Sequence, residues 1–372
     1  MAWFGLRAGR GGARPALSGG WSRSGVPVTA GPAWPRGYEA QVREAYLGNA
    51  VAQRAVRLVA EGVGEAPLTA SDPAIAALAS ARSGGQALLA TVATQLLLHG
   101  NAYLQVLRDP EGGAAELYAL RPERVSVETD AGGWPAAYRY RVGERVVRLH
   151  ADAPRPEVIA IRSNHPLDDH YGAGCLPAAG AAVAVHNAAS RWHQALLDNA
   201  ARPSGALVYD PGDGSALSPD QYARLKEEMT AFSGAGAAGR PMLLEGGLKW
   251  QAMSLSPADL DFAGTKAAAA REIALAFGVP PMLLGLPGDS THANYREANR
   301  ALWRLTVLPL AASILHSIAQ GLEGWFAGAS LRVDLDRVPA LAEDRERLWR
   351  SVAGADFLTR EEKRALLDLS GE

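Results

Sequence analysis

Two histidines and two carboxylates lie within six residues of one another, between Asn164 and Tyr171. Imidazole and carboxylate groups are common ligands of zinc and iron, so this group predicts one possible function, a metal-dependent hydrolase. The spacing matches no common ligand pattern, however, and the proline and glycines in and after the segment also favour a turn. A stoichiometric metal content would favour the enzyme over the turn. The four candidate ligands are His165, Asp168, Asp169 and His170.

A second candidate for chemistry is Gly234-Ala-Gly-Ala-Ala-Gly239, which fits the glycine pattern of dinucleotide-binding loops. Such a loop must follow a strand and begin a helix, because the N-terminus of that helix holds the pyrophosphate. Here the predicted order is reversed, with a helix before the glycines and a strand after them. The pattern therefore predicts an ordinary loop, and we expect no bound cofactor.

The remaining reactive residues form no recognised catalytic frame. Cys175 is the single cysteine, which excludes an internal disulfide and predicts a reducing compartment and an inert, packed thiol. The sequence contains no Walker A phosphate loop and neither of the hydrolase patterns G-x-S-x-G and H-E-x-x-H. We therefore predict that the protein is not an enzyme and that any nucleotide hydrolysis belongs to a partner.

Composition and charge set broader limits. The 372 residues, 48% hydrophobic and 20% charged, are typical of a soluble protein with two or three packed modules. The longest apolar run, residues 87–98, is broken by Thr91, Thr94 and Gln95 and is too short to span a bilayer, so no membrane partner is expected. Residues 1–37 hold five arginines and no acidic residue, which gives this arm +5 and the remainder −7 of the net −2. Such a segment is predicted to be disordered.

The elements around these residues begin with a long helix over residues 256–278. Ser256 is the predicted N-cap and Pro257 the first helical residue, and Gly278 before two prolines is the predicted C-terminal stop. A loop rich in proline and glycine follows. A second helix is predicted from about residue 294 to 326, with a kink near residues 305–309 because Pro309 removes a backbone hydrogen bond.

Before that kink, Arg296, Arg300 and Arg304 recur at every fourth position and form one positive stripe on the predicted helix. The stripe lies next to the glycine-containing loop. Two interpretations remain open. The arginines either contact phosphates or form ion pairs between subunits, with Asp259, Asp261 or Glu297 as partners.

The rest of the chain combines helices with a strand-rich stretch. Helices are predicted over residues 38–62, 85–99 and 176–201, and two short charged helices over 340–372, the second begun by a capping box at Thr359. Short turns between strands imply an antiparallel sheet. Its strands are predicted over residues 102–107, 116–120, 124–128, 136–141 and 145–150. A compact α/β module, with a helix capped at Ser218, is predicted over residues 205–253.

Three phrases in this order resemble the portal proteins of tailed bacteriophages and of phage-derived gene transfer agents. They are LLLHGNAYLQV from residue 96, EIALAFGVPPMLLG from residue 272 and NYREANRALWRLTVLPL from residue 294. The resemblance covers roughly residues 40–340 and implies an α+β portal subunit with a helical stem, an α/β clip insert, a mixed α/β wing and a short helical crown.

The resemblance also implies a division of the chain into eight segments. They are a disordered basic arm (1–37), the wing (38–175), the first stem helix (176–202), the clip (203–255), the second stem helix (256–278), the tunnel-loop region (279–294), a kinked helix with its return to the wing (295–339) and a short crown (340–372).

The function implied by the resemblance is mechanical. Twelve or so copies would form a ring at one capsid vertex, through which double-stranded DNA enters during packaging and leaves during ejection, without sequence preference. The large terminase, the head–tail adaptor and the major capsid protein would be its partners. The protein would be assembled in a bacterial cytoplasm and end in a virion or a gene transfer agent particle. A ring-forming scaffold unrelated to DNA remains an alternative.

The resemblance places the DNA-channel residues in and after the loop between the two long helices. The loop would narrow the channel, and the arginine stripe would lie beside it. The residues so predicted are Leu286, Pro287, Gly288, Asp289, Ser290, Thr291, His292, Asn294, Arg296, Arg300 and Arg304.

Overall fold

The structure is a computed structural model that describes residues 34–151, 154–198, 205–210, 216–231, 248–252, 262–286 and 292–367. The chain divides into two compact units, one built from residues 1–180 and 274–372 and the other from residues 181–273. Several predictions lie outside the described residues. They concern most of the basic arm, the glycines at 234–239, the N-cap at Ser256, and residues 287–291 of the tunnel loop.

From residue 34 to residue 100, the described chain forms four α-helices: α1 (Tyr38–Val42), α2 (Ala50–Gly64), α3 (Pro73–Ser80) and α4 (Leu88–His99). The single helix predicted over residues 38–62 is wrong in one respect, because a π turn, Arg43–Leu47, separates α1 from α2. The reason is a local cap. The Asn49 side chain accepts hydrogen bonds from the N–H groups of Val51 and Ala52, at 3.1 and 3.0 Å, and so begins a new helix.

The described part of the same N-terminal half contains nine strands. They are β1 (Leu68–Ala70), β2 (Arg82–Ser83), β3 (Gln86–Ala87), β4 (Asn101–Arg108), β5 (Ala114–Leu120), β6 (Val125–Thr129), β7 (Pro135–Val142), β8 (Arg145–His150) and β9 (Val158–Arg162). The five predicted strands correspond to β4–β8. The helix predicted from residue 85 starts later, at Leu88, because β2 and β3 form a small hairpin before it.

The longer strands form two antiparallel sheets, ordered β5–β4–β9 and β6–β7–β8. One hydrophobic cluster joins the sheets, since its buried members come from both. They are Tyr103, Leu120, Val125, Tyr138, Leu149 and Val158. The sequence does not predict β9, although it completes the first sheet, because this short strand is far along the chain from its partner β4.

The phrase LLLHGNAYLQV ends α4 and begins β4. Gly100 has φ +83°, a conformation that favours glycine, and a side chain there would collide with the backbone at Ala173. The amide of Asn101 fastens the crossing segment, because its Oδ1 accepts from the N–H of Gly172 at 2.7 Å. Burial lowers the pKa of His99 to about 4. The phrase is therefore a structural junction of this unit.

The second unit contains most of two long helices, α5 (Leu176–Asp198) and α7 (Phe262–Ala276). Between them lie β10 (Gly205–Tyr209), α6 (Pro219–Ala231) and β11 (Leu248–Ala252), and the two strands pair antiparallel. The predicted cap of α6 is confirmed. The Oγ of Ser218 accepts from the N–H of Gln221, whose side chain accepts in return from the N–H of Ser218.

The first unit resumes at Ala274, in the last turn of α7. Gly278 has φ +66°, as expected for the predicted helix stop, and its carbonyl accepts a 2.6 Å hydrogen bond from the hydroxyl of Thr306. The remaining α-helices and strand of the described chain are α8 (His292–Leu302), α9 (Leu308–Leu322), β12 (Leu331–Val333), α10 (Ala342–Ala353) and α11 (Arg360–Leu366), and a π turn (Trp303–Val307) lies between α8 and α9. The capping box predicted at Thr359 is present, with Glu362 as its partner. Strand β12 pairs with β1.

The long helix responds to Pro309 by changing its hydrogen-bond spacing. The predicted disturbance lies in the expected place, and its form is the π turn Trp303–Val307, which ends two residues before the proline. Proline cannot donate to the carbonyl four residues earlier, so that turn of the helix must rearrange. The helix ends at Leu322, four residues before the predicted end.

This helix, Asn294–Leu322, is also long and apolar enough by length and composition to cross a membrane. The expectation of no membrane span rests on the apolar run at residues 87–98, whereas this helix is a different segment whose first turns are charged. In this unit, α9 buries an apolar face and packs against α4, β9 and β12, as a core helix does. The buried residues are Ala311, Ile314, Leu315, Ile318, Ala319 and Leu322.

Candidate nucleic-acid interface

The arginine stripe extends from α8 into the π turn and faces the first turn of α10. Arg300 is its centre. The guanidinium of Arg300 lies 2.6 Å from a carboxylate oxygen of Glu343, 3.0 Å from Glu297 and 3.6 Å from Asp344. Its side chain is only 14% exposed. Such a guanidinium, bound on several sides, acts as a structural cross-link between α8 and α10.

The two outer arginines are held more loosely. Arg296 lies 2.9 Å from Glu343, and Arg304 lies 4.0 Å from Asp344. Their side chains are 62% and 64% exposed, so solvent and salt screen both pairs. Three arginines thus share three carboxylates. The stripe is electrically balanced within the chain, which weakens any attraction to phosphates.

One of these three carboxylates, Glu297, is predicted as a partner from the sequence, and the other two are not. Glu297 pairs with Arg300, as expected, although the pair lies within one chain rather than between subunits. Asp259 and Asp261 lie outside the described residues. Glu343 was missed because it is 43 residues from Arg300. The available signal was the acidic first turn of α10, a common site for carboxylates that also offers ion-pair partners.

The structure describes the predicted tunnel-loop residues only in part. Leu286 lies just before the undescribed residues 287–291, and His292 and Asn294 lie in the first turn of α8. Asn294 is exposed, and so is the neighbouring Tyr295. Pro287, Gly288, Asp289, Ser290 and Thr291 lie outside the described residues.

The candidate metal ligands form a turn between β9 and α5. One carboxylate oxygen of Asp168 accepts from the N–H groups of His170 and Tyr171, at 2.8 and 2.9 Å. His165 is used locally too, since its Nδ1 accepts from the N–H of Leu167 at 3.1 Å. The carbonyl of Asp169 accepts from Arg162. Side-chain contacts to nearby backbone groups of this kind are typical of a turn, and they favour the turn over a metal site. Among the described residues, no three histidine, cysteine or acidic side chains are grouped as a metal site would require.

Cys175, directly after this turn, is largely enclosed, and burial raises the pKa of its thiol. A raised pKa keeps the sulfur protonated and poorly nucleophilic. The glycines at 234–239 lie outside the described residues, but helix α6 ends just before them, at Ala231. That order is the reverse of a dinucleotide-binding loop.

Comparisons with known proteins place these features in a family. The family model described as phage portal protein matches residues 50–368. An uncharacterized protein of Rickettsia felis is 38% identical over 349 residues, which is 88% of either chain. A probable portal protein of Streptomyces phage phiC31 is 30% identical over 230 residues, 60% of this chain and 49% of that one.

Among solved structures, a chain in the neck of a native gene transfer agent particle, computed with C12 symmetry, is 48% identical to this chain. The match covers 91% of this chain and 95% of that chain, with a TM-score of 0.71. The mixed α/β fold is thus that of a portal subunit, as the resemblance implied. Because the family model spans most of the sequence, the chain belongs to the phage portal protein family.

Proposed function

We propose that this protein is one subunit of a twelve-membered ring at the neck of a phage or gene transfer agent particle. The observation that carries the proposal is the likeness, over nine-tenths of the chain, to the neck chain computed with C12 symmetry. The family is one of structural proteins rather than enzymes. The ring is accordingly a passive conduit for double-stranded DNA during packaging and exit, and a separate motor supplies the work.

The charge of the stripe suits a conduit. DNA carries about one phosphate charge per 1.7 Å of helix axis, so a densely basic lining would hold it tightly and in a salt-dependent way. In this chain, Glu297, Glu343 and Asp344 compete with phosphates for the three arginines. Transient contacts through the exposed Arg296 and Arg304 would guide a duplex without stopping it.

Within the ring, residues 286–294 are proposed to form the tunnel loop that narrows the channel. The loop begins after Gly278, whose carbonyl accepts a hydrogen bond from Thr306, and ends in α8, which Arg300 ties to α10. Because these contacts hold both ends of the loop, the loop can contact a passing duplex without opening the ring. The wing, stem, clip and crown segments keep the boundaries given above as part of this proposal.

The proposed partners follow from that position. The large terminase docks on the ring during packaging, the head–tail adaptor replaces it afterwards, and the major capsid protein surrounds the ring. DNA contacts are independent of sequence, because phosphates rather than base edges meet the channel.

The ring is tested by native mass spectrometry and negative-stain imaging of the purified chain. We expect a closed ring of twelve subunits with a channel of about 20 Å or more, the width that a duplex needs. In cells, deletion of the gene should abolish DNA-filled particles, and the wild-type chain or the surface variant Arg54→Gln should restore them. A monomer that hydrolyses a small substrate, or a ring without any effect on DNA filling, would refute the proposal.

A further inference from the structure

A second group of arginines lies at the opposite end of α9 from the stripe. Arg108 at the end of β4 and Arg155 before β9 both lie against the indole of Trp325, which follows α9. Their guanidinium carbons are 5.7 and 5.9 Å from the ring centroid. These distances are those of cation–π contacts, which favour arginine beside tryptophan. We call these three residues the Arg–Trp–Arg cluster.

Backbone carbonyls fix the side chains of the Arg–Trp–Arg cluster. The carbonyl of Gly112 accepts from Trp325 Nε1 at 3.2 Å and from Arg155 Nη1 at 3.4 Å. Arg155 Nε donates to the carbonyl of Gly324 at 2.9 Å, and Arg108 Nη2 donates to the carbonyl of Arg155 at 2.9 Å. Three distant parts of the chain thus converge on one place and hold two guanidiniums in a fixed arrangement.

Gly324 makes this convergence possible. A Cβ atom at Gly324 would collide with the carbonyl oxygen of Pro154, so the segment carrying Arg155 can approach only a glycine. The hydrogen bond from Arg155 to the Gly324 carbonyl depends on the same close approach. The cluster is therefore built by the fold and not by a chance meeting of long side chains.

Among the described residues, the two guanidiniums of the Arg–Trp–Arg cluster form no ion pair. Within the described part of the chain, neither Arg108 nor Arg155 has a carboxylate within 4.0 Å, and both are exposed to solvent. The nearby carboxylate of Glu323 accepts instead from the N–H groups of Gly328 and Ala329. Carbonyls take up only some of the guanidinium donors, and the rest face solvent. Two fixed positive charges with free donors form a site for an anion.

We propose that the Arg–Trp–Arg cluster binds phosphates of double-stranded DNA on the surface of the subunit. Guanidiniums match phosphate oxygens in geometry, and phosphate contacts carry no sequence preference. An acidic protein surface is the competing ligand. Protein interfaces usually have an apolar, aromatic centre, yet among the described residues no large exposed apolar side chain comes from the segments around Arg108, Arg155 and Trp325.

The test measures binding of a covalently closed circular duplex, which cannot thread through a ring, across a range of salt concentrations. The variant is Arg108→Gln with Arg155→Gln. The matched control is Arg54→Gln with Arg57→Gln, which removes two exposed arginines from α2. For the first variant, we expect the slope of log affinity against log salt to fall by about 2. The weakening of binding between about 50 and 200 mM salt should then be roughly tenfold smaller.

Folding is checked by thermal unfolding, and if the double variant unfolds early, Arg108→Gln alone should lower the slope by about 1. Equal slopes for the variant and the control would overturn the proposal. Loss of ring assembly with unchanged DNA binding would also overturn it and identify an acidic neighbouring subunit as the ligand. The proposal rests on the proposed function only in its choice of DNA. Failure of linear DNA to pass through the ring would instead count against the conduit and leave binding of the circle unaffected.

Discussion

The two arginine groups of this protein show how the same residue type takes different roles at the two ends of α9. Near α10, the described arginines of the stripe all have carboxylates within 4.0 Å. In the Arg–Trp–Arg cluster, carbonyls and an indole hold the guanidiniums, and no carboxylate of the described chain lies within that distance. The first group ties helices together, and the second keeps its charge for a ligand. An arginine pattern in a sequence therefore does not by itself predict DNA binding.

Each of the two regions also contains a tryptophan, and the two indoles differ in whether they donate to a carboxylate or to a carbonyl. Trp349 of α10 donates its Nε1–H to Asp336 at 3.0 Å, and Arg345 donates to the same carboxylate oxygen at 2.5 Å. Trp325 donates instead to a backbone carbonyl, that of Gly112. The α10 region thus contains its own anion, whereas no described carboxylate lies within 4.0 Å of the guanidiniums of the Arg–Trp–Arg cluster. Four measurements test this difference, from the largest expected effect to the smallest.

Gly324→Ala should break the Arg–Trp–Arg cluster outright. The added methyl group must displace the segment at Pro154, and forcing extra atoms into a packed site costs about 1–3 kcal/mol. We expect a loss of about 2–3 kcal/mol in the free energy of unfolding in urea, together with the reduced salt slope of the double arginine variant. Gly37→Ala is the control, since a Cβ there meets nothing within 4 Å. Equal stability of the two variants would show that the close approach is unimportant.

Arg300→Ala should loosen α10 and leave the Arg–Trp–Arg cluster intact. Removal of this guanidinium leaves Glu343 and Asp344 close together without their main counter-ion. We expect a loss of about 1–2 kcal/mol in unfolding free energy, between the values for exposed and buried pairs. Hydrogen exchange should become faster in α10, and Arg300→Lys should restore part of the protection. Unchanged exchange in α10 would contradict the role of Arg300 as a cross-link.

Acid should weaken the α10 region selectively. The hydrogen bond from Arg345 holds the pKa of Asp336 below its usual 3.8, and the Trp349 hydrogen bond acts in the same direction. Because the folded pKa is the lower one, this stabilisation is present above pH 3.8 and is lost as the pH falls through the folded value. Asp336→Asn should therefore cost about 1 kcal/mol at pH 6 and progressively less below pH 3.8.

The control for the acid experiment is Trp325→Phe. This substitution removes the hydrogen bond to the Gly112 carbonyl, which involves no titrating group. Its cost in unfolding free energy should therefore be the same at pH 6 and below pH 3.8. A cost for Asp336→Asn that does not change with pH would show that the carboxylate charge is not what stabilises α10.

The smallest effects are expected for Arg296→Ala and Arg304→Ala. Both side chains are mostly exposed, and such pairs contribute up to about 1 kcal/mol, often less. Each variant should change the unfolding free energy by less than about 0.5 kcal/mol. Because their charges are balanced within the chain, together they should lower the salt slope for linear duplex binding by less than the Arg108 and Arg155 pair. A larger reduction would show that the stripe itself is a main phosphate contact.

Local patterns gave much of the secondary structure. The capping boxes at Ser218 and Thr359, the left-handed glycine at Gly278 and the disturbance before Pro309 all lie where the sequence predicts them. Each depends on residues within one or two turns of each other, so composition and spacing suffice. The turn formed by Asp168 is of the same kind.

Contacts between distant segments were not predictable in this way. Strand β9 joins its sheet through a partner more than fifty residues earlier, and Arg155 meets Gly324 across 169 residues. No sequence pattern predicts the Arg–Trp–Arg cluster, because single arginines before or after a strand are common in any sequence. Only folding brings its three segments to one carbonyl.

The sequence by itself determined the family, the order of elements and the local caps, because these depend on motifs and on hydrogen bonds between near neighbours. Tertiary structure alone decided which charges are balanced and which stay available. Coulomb energies depend on distance through space and on burial, and spacing along the chain specifies neither of these for residues many turns apart.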